Sequence, residues 1–510
     1  MLRCVSKPGL ELRAVCGALV LSAAACGKPS QPEPDPPLPK LPWSFERGPQ
    51  PEVDSPLTAI VGGKVMTAAG SVIEDGIVVL HQGRVRAVGP PGEITLAPEA
   101  RRIDASGRFV TPGLIDVHSH MGVYPVPAAE AHRDGNEATA PVTAHVDAAD
   151  SFWPQDPALR RALAAGVTTI QVLPGSANLI GGRGAIMKLR PGRSADAMRF
   201  PGAPVTLKMA CGENPKRVYG KGKKAAPATR MGNVAGYRTA YQKAREYGRS
   251  WSDWQQRQRL WAIKRAKFER AKKKGEKGGE QDRGRKGTKP PQDPGPEPAP
   301  PPRDFGLETL LGVIEGHVHV QMHCYRADEM LRMIELAERF GFRIRAFHHA
   351  VEAYKIRDVL REKDVGTATW ADWWGFKLEA FDTIVENLAL LTETGARGVL
   401  HSDSPMLVQR LNQEAAKARH AGLAAGIDVS EDQALRWITS NAAWALGIDD
   451  RTGSLEVGKM ADLVVWSGSP FSVYARADLV FVDGELLFDR AKQVEPQASD
   501  FELGLGVRSE

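Results

Sequence analysis

The sequence predicts an α/β protein in which a parallel sheet of βα units closes into a barrel beside a β-domain built from both chain ends. Three observations carry this. Strand-like apolar runs at residues 167–173, 205–210, 319–324, 343–348 and 398–401 are separated in several places by helical stretches such as 328–339 and 380–394, the alternation of a parallel sheet. Residues 59–65 and 76–80 are short strands between glycine-rich breaks, and the same texture returns at 461–466 and 479–484. A chain of 510 residues exceeds one small core and accommodates a large barrel with a satellite domain.

Taken in chain order, the first element is a targeting segment over residues 1–26. Arg3, Lys7 and Arg13 form a basic start, residues 14–21 an apolar core, and Ser22-Ala23-Ala24-Ala25 lead to Cys26. The segment resembles a bacterial lipoprotein signal, with Leu21 set further from the cysteine than usual. The resemblance implies lipidation of Cys26 and a lipid-anchored, periplasm-facing place in the bacterial cell envelope. An ordinary cleaved secretory signal, leaving a soluble periplasmic or secreted protein, is the alternative. Residues 27–56 follow as a proline-rich tether, too poor in apolar residues to fold alone.

Residues 57–110 form the first part of the β-domain, 111–449 the barrel and 450–495 the second β part, with 496–510 as a tail. Residues 219–304 interrupt the barrel. Within them, 237–274 read as a basic helix carrying Trp251, Trp254 and Trp261 on a shared face, expected to dock on the barrel. Contact with another subunit, anionic lipid or an envelope polymer is the alternative. Residues 275–303 are Lys-, Gly-, Pro- and Glu-rich and are expected to be disordered.

Composition bounds the partners. The apolar share of 42% and charged share of 25% are ordinary for a soluble globular protein. The net charge of +6 comes from Lys and Arg crowded between residues 216 and 289, a local basic segment that gives no reason to expect nucleic acid as a partner. Of five cysteines, Cys4, Cys16 and Cys26 belong to the leader. Cys211 and Cys324 each end an apolar run and are expected as buried thiols, bridged only if their strands are neighbours.

The residues that carry chemistry cluster at strand ends, where a βα barrel places reactive groups. His118 and His120 close the run Leu114-Ile115-Asp116-Val117-His118-Ser119-His120, and positions i and i+2 of a strand share a face. Their imidazoles can thus converge on one divalent ion. Further along come Lys208, Glu213, His323, His349 and Asp403, with His401 on the same side as Asp403 and expected behind the ligands as a support for them, and His348 expected to point away from His349. Each also has a structural reading: a hydrogen-bonded core histidine, a capping aspartate, a lysine whose buried stem carries an exposed head. Their order on successive strands favours a site.

Four motifs then define a resemblance: residues 111–120 (Thr-Pro-Gly-Leu-Ile-Asp-Val-His-Ser-His), 165–169 (Ala-Gly-Val-Thr-Thr), 441–448 (Asn-Ala-Ala-Trp-Ala-Leu-Gly-Ile) and 453–465 (Gly-Ser-Leu-Glu-Val-Gly-Lys-Met-Ala-Asp-Leu-Val-Val). The chain resembles the amidohydrolase superfamily, in the branch of imidazolonepropionase-like and prolidase-like enzymes. The resemblance implies a distorted TIM (β/α)8 barrel with a β-sandwich from both chain ends. It also implies one or two Zn²⁺-like divalent ions held by His118, His120, His323, His349 and Asp403. The fourth-strand ligand is either Lys208, carboxylated as in binuclear members, or Glu213. An ammonium beside a cation is disfavoured where a carbamate is not, so Lys208 is preferred if its head faces the site.

The implied activity is hydrolysis of a C–N bond in an amide, dipeptide or cyclic amide by activated water. Asp403 would act as general base and then acid, and His349 as a second-metal ligand or oxyanion stabiliser. Deamination of a cyclic amidine or nucleobase-like ring is the runner-up, and a non-catalytic envelope scaffold the alternative of a different class. Asn214, Lys216, Arg217 and Tyr219 follow a barrel strand and are expected at the mouth of the site, the two cations suggesting an anionic substrate group. The expected partners are a small-molecule substrate, the membrane through a lipid anchor, and further copies of the chain.

Overall fold

The structure, a computed structural model, describes residues 37–51, 53–277 and 291–492. The targeting segment with Cys26, residues 27–36 and 52 of the tether, residues 278–290 and residues 493–510 lie outside the described residues, whereas the rest of the tether is described, with Trp43 and Phe45 packed on buried clusters. The chain divides into two units, Met1–Pro39 with Gln255–Pro298, and Lys40–Trp254 with Ala299–Glu510.

In the smaller unit the helix Arg230–Lys277 continues through its basic stretch. Residues 291–298, expected to be disordered, lack regular structure yet follow the helix. Trp261 Nε1 donates to the Gly295 carbonyl at 2.9 Å, Gln258 Nε2 to Glu297 Oε1 at 2.8 Å, and Arg265 pairs with Asp293 at 3.3 Å. Polar side chains on one helix face thus hold a segment that composition alone marks as unfoldable.

The larger unit contains two eight-stranded sheets. The first draws on both chain ends: β1 (Thr58–Met66), β2 (Val72–His81), β3 (Arg84–Gly89), β4 (Arg101–Asp104) and β5 (Phe109–Pro112) join β14 (Leu463–Trp466), β15 (Ala477–Val482) and β16 (Glu485–Asp489). Alternating apolar residues bury Ile60, Val65, Val78, Leu80, Val110, Leu463, Val465 and Phe481 in one core.

The second sheet is the barrel: β6 (Leu114–Ser119), β7 (Val167–Val172), β8 (Ile180–Lys188), β9 (Val205–Ala210), β10 (Val318–His323), β11 (Ile344–His348), β12 (Gly366–Thr369) and β13 (Gly398–Leu400), hydrogen-bonded in that order. All pairs are parallel except those of β8, which runs antiparallel to both β7 and β9. The seam between β6 and β13 closes through backbone contacts. Ile115 N–H donates to the Ile438 carbonyl at 2.9 Å, Leu400 N–H to the Trp437 carbonyl at 3.1 Å, and Asp403 N–H to the His118 carbonyl at 3.1 Å. Gly113 permits the approach of β6 to β7, since a Cβ there would lie 2.1 Å from Thr168 Oγ1.

Cys211 and Cys324 form a disulfide, with Cα atoms 5.2 Å apart. This replaces the expectation of two thiols, and register explains it. β9 and β10 are parallel neighbours with Ala210 opposite His323, so the next residue on each strand faces the other. Trp251 and Trp254 dock as expected, buried with Tyr247 and Leu311 and packed by Trp43.

Barrel and β-domain are joined by a buried ion network. Lys188 on β8 donates to Asp462 at 2.9 Å and to Asp483. Asp462 also accepts from Thr452 Oγ1 at 2.8 Å and from the Asp483 N–H at 2.9 Å. Every side chain in the group has a partner, which a buried charge requires.

Candidate metal centre

The ligand-type side chains meet at the C-terminal end of the barrel strands. His118 and His120 end β6 with ring centroids 5.2 Å apart, and both Nε2 atoms face Asp403 Oδ1, at 3.7 and 3.3 Å. His120 Nδ1 donates to the Leu173 carbonyl at 2.7 Å, which leaves its Nε2 lone pair directed at the site.

His118 is oriented by a chain of buried groups. Gln321 Nε2 donates to the Ala445 carbonyl at 2.8 Å, so its Oε1 accepts from His348 Nε2 at 2.7 Å. His348 Nδ1 must then accept from His118 Nδ1–H, at 2.9 Å. This fixes the His118 tautomer with its Nε2 lone pair towards the cluster. His348, expected to point away, is therefore part of the site's support. The alternation rule fails because His349 adopts φ +59°, a left-handed turn that brings consecutive histidines to neighbouring interior positions.

Asp403 shares that strained conformation, with φ +50°. Such residues cost about 1–3 kcal/mol each and persist where their surroundings fix them. The fixing group is Asp116, fully buried on β6. Its carboxylate accepts from the Ser402 N–H at 3.1 Å, from Ser402 Oγ, and from the His118 N–H at 3.2 Å. Burial raises Asp116 to about 6 despite those bonds. Burial also pushes Asp403 upward, but the polar groups that face it, His120 first and then His401 and Lys208, outweigh it and hold the carboxyl below its ordinary value. Asp116 was not singled out in the sequence, although its place two residues before His118, on the interior face, marks it.

Lys208 turns its head into the cluster. Nζ lies 3.4 Å from His118 Nε2 and donates to the Pro174 carbonyl at 3.0 Å. Burial lowers its pKa to about 7, with Asp403 pulling the other way. Glu213 instead begins the short helix Glu213–Lys216, its carboxylate 3.5 Å from Lys377 Nζ.

His323 ends β10, its ring 4.7 Å from that of His349. Asn214 Nδ2 lies 3.4 Å from His323 Nε2 and donates to Ser176 Oγ at 2.8 Å, which brings it to the edge of the cluster. His349 Nε2 is 3.9 Å from Asp403 Oδ2. His401, expected behind the site, belongs to its inner face: nitrogens of His118, His349 and His401 lie within 4.8 Å of one another, as do donor atoms of His118, His120 and Asp403. Two overlapping triads thus share His118.

The other predicted mouth residues stand apart. Tyr219 is buried, spends its hydroxyl on the Ala140 carbonyl at 2.6 Å, and is raised to about 12 by burial. Lys216 closes its helix and Arg217 is exposed. Among the described residues, neither forms an ion pair or side-chain hydrogen bond with the cluster.

These donors suit a divalent ion. His323 Nδ1, His349 Nδ1 and both nitrogens of His401 are buried without a hydrogen-bond partner, which is costly unless something binds them. Burial first, then neighbouring cationic groups, hold His118, His323 and His349 well below the ordinary histidine value. The rings are therefore neutral, the form that ligates metal. Zinc bonds of about 2.0 Å at tetrahedral angles place donors about 3.3 Å apart, close to the Asp403–His120 and Lys208–His118 separations of 3.3 and 3.4 Å.

Fold and site together define a class: an α/β barrel with a histidine, aspartate and lysine cluster at its strand ends. Comparison with known proteins narrows it. A profile described as "Amidohydrolase family" matches residues 318–488. Amidohydrolase tasK of Hapsidospora irregularis is 33% identical over 430 residues, which cover 81% of this chain and 40% of that protein. The chain thus spans well under half the length of this relative. An imidazolonepropionase of Brevibacillus brevis is 40% identical over 78 residues, 13% of this chain and 18% of that protein. The solved structure of an amidohydrolase from Thermotoga maritima MSB8 aligns at a TM-score of 0.69 and 35% identity, covering 85% of this chain and 100% of that one. The chain belongs to the amidohydrolase family.

Proposed function

We propose that the protein is a metal-dependent hydrolase that activates water to cleave a C–N bond of an amide, dipeptide or cyclic amide. The observation that carries this reading is the position of the Asp403 carboxylate, which faces the Nε2 atoms of His118, His120 and His349 at 3.3–3.9 Å. In this reading His118, His120, Lys208, His323, His349 and Asp403 hold one or two zinc-like ions, with His401 as a further donor. The ion supplies Lewis acidity and lowers the pKa of water to roughly 7.

The chain's own residues do the rest. Asp403 accepts a proton from the attacking water at a carboxylate oxygen and delivers it to the leaving nitrogen as the C–N bond breaks. Gln321 and His348 keep the His118 lone pair on the cluster, and the Leu173 carbonyl does the same for His120. Lys208, with a substantial neutral fraction near pH 7, adds through its lone pair to CO₂ and loses one proton to solvent, which gives an anionic carbamate beside the histidines. Asn214 orients His323 or the substrate at the rim.

Exchanging Asp403 for Asn is expected to lower turnover by about 10²–10⁴-fold with metal content largely intact; full activity would remove Asp403 from the mechanism. Lys208→Met should lose metal where Glu213→Gln keeps it, and the reverse pattern would make Glu213 the ligand. A coupled ammonia assay separates cleavage between two retained fragments, which releases none, from deamination.

The disulfide Cys211–Cys324 supports the further proposal that the protein is exported, because such bonds persist in oxidising compartments. Lipidation at Cys26 would then hold it at the envelope, where the basic helix can meet anionic surfaces.

A further inference from the structure

The segment after β12 carries a second feature of the same site. It reads Trp370-Ala371-Asp372-Trp373-Trp374-Gly375-Phe376-Lys377. Trp370 is buried, and its ring stacks on His349 with centroids 4.4 Å apart and planes 23° apart. Trp373 stacks in turn on Trp370, at 5.1 Å and 12°. Three parallel rings therefore run without a break from a donor of the cluster to the surface, where Trp373 is 36% exposed.

Phe376, 52% exposed, stands edge-on to Trp370 and Trp373 with centroids 5.7 and 5.9 Å away. Tyr325, stacked on the His349 ring at 5.4 Å, lies 6.3 Å from Phe376. The neighbouring cation is already compensated. Lys377 Nζ sits 3.7 Å over the Tyr325 ring and 3.5 and 3.6 Å from carboxylate oxygens of Glu213 and Glu379. What remains open beside the cluster is aromatic surface, and exposed aromatic surface continuous with a reactive centre is a place for a ligand's apolar group.

Resting on the hydrolase reading above, we infer that Trp373 and Phe376 form a subsite for an aryl or similarly flat apolar group of the substrate, next to the bond the cluster attacks. They are specificity-determining residues: they touch the substrate's side group and leave the ion donors untouched. The anionic group suggested by Lys216 and Arg217 is not part of this subsite.

The test uses the cobalt-loaded full chain and two chelating probes, acetohydroxamate and phenylacetohydroxamate, with binding read by calorimetry. Burial of one phenyl group predicts a preference for the aryl probe of about 10–100-fold. Trp373→Ala and Phe376→Ala should each reduce that preference several-fold while acetohydroxamate affinity and metal content stay unchanged. Equal binding of both probes by the unmodified protein, or a preference that both variants retain, overturns the inference. Loss of a dimer on sedimentation of Trp373→Ala, with no aryl preference in the parent, assigns the surface to a second copy and also overturns it. If acetohydroxamate fails to bind at all, the metal reading fails, and phenylacetamide then probes the subsite alone. Quenching of tryptophan fluorescence by phenylacetamide that disappears in Phe376→Ala supports the subsite, and its absence overturns it.

Discussion

At the scale of single residues, the centre depends on groups that hold other groups. Gln321 and His348 touch no reacting atom, yet together they decide which nitrogen of His118 carries its proton. Exchanging His348 for Phe should weaken metal binding by about 10–100-fold in competition with a chelator, with the fold retained; unchanged affinity would remove the relay from the account. The sequence displayed many of the side chains that the structure gathers at the strand ends. Alternation in β6 pointed to His118 and His120, and polar positions in β10 to His323. It misread His348 and His401 because alternation assumes regular strand geometry, and the chain turns left-handed at His349 and Asp403. No local residue type announces such a turn at a histidine. Tyr219 failed for another reason: position after a strand does not reveal that its hydroxyl is already spent on a carbonyl.

At the scale of elements, two cross-links tie the barrel, one between neighbouring strands at the centre and one to the β-domain. The Cys211–Cys324 disulfide spans 113 residues of sequence and joins β9 to β10 beside Lys208 and His323. Exchange of both cysteines for serine should destabilise the protein by about 2–5 kcal/mol, read from the midpoint of chemical denaturation; a loss below about 1 kcal/mol would show that the sheet alone maintains the register. Lys188 joins β8 to the β-domain through Asp462 and Asp483. Replacing it with Met leaves the buried Asp462 carboxylate without its cation and Asp483 with Arg190 alone, at 3.1 Å, and a loss of about 3–5 kcal/mol is expected. Neither link was legible in the sequence. Strand existence follows from apolar periodicity, whereas partners follow from strand order, and the antiparallel β8 between β7 and β9 was not predicted. The helix of the insertion was readable because three tryptophans and a long run of helix formers act locally. The ordered path of residues 291–298 was not, because it depends on contacts made at a distance.

At the scale of the whole molecule, burial of so many histidines makes stability depend on pH. His118, His323, His348 and His349 are held well below the ordinary value, His319 at about 4 and His401 at about 3, with burial the leading cause in each case. These rings stay neutral in the folded protein and take up protons on unfolding, near pH 6.5. Their contribution is present above that value and is lost as pH falls towards the folded pKa values. Asp116, raised to about 6, and Glu315, Glu379 and Asp483, also raised by burial, work in the opposite sense, as four carboxyls against six histidines that titrate within this window once unfolded. The metal-free protein should therefore unfold at lower urea at pH 6.0 than at pH 7.5, by somewhat under 1 kcal/mol per histidine. His319→Gln should reduce the difference, and an identical midpoint at both pH values would contradict the account. The molecule's architecture was legible because periodicity and motifs are spread over the chain, while the centre's inner arrangement depends on two strained residues and one seam. The central claim is that this arrangement is a metal centre, and elemental analysis by mass spectrometry tests it most directly. Protein purified with metal supplied should retain one to two equivalents of a divalent transition ion, and the Lys208→Met and His349→Ala variants should retain less. A folded, metal-supplied protein that holds no ion tightly would contradict it.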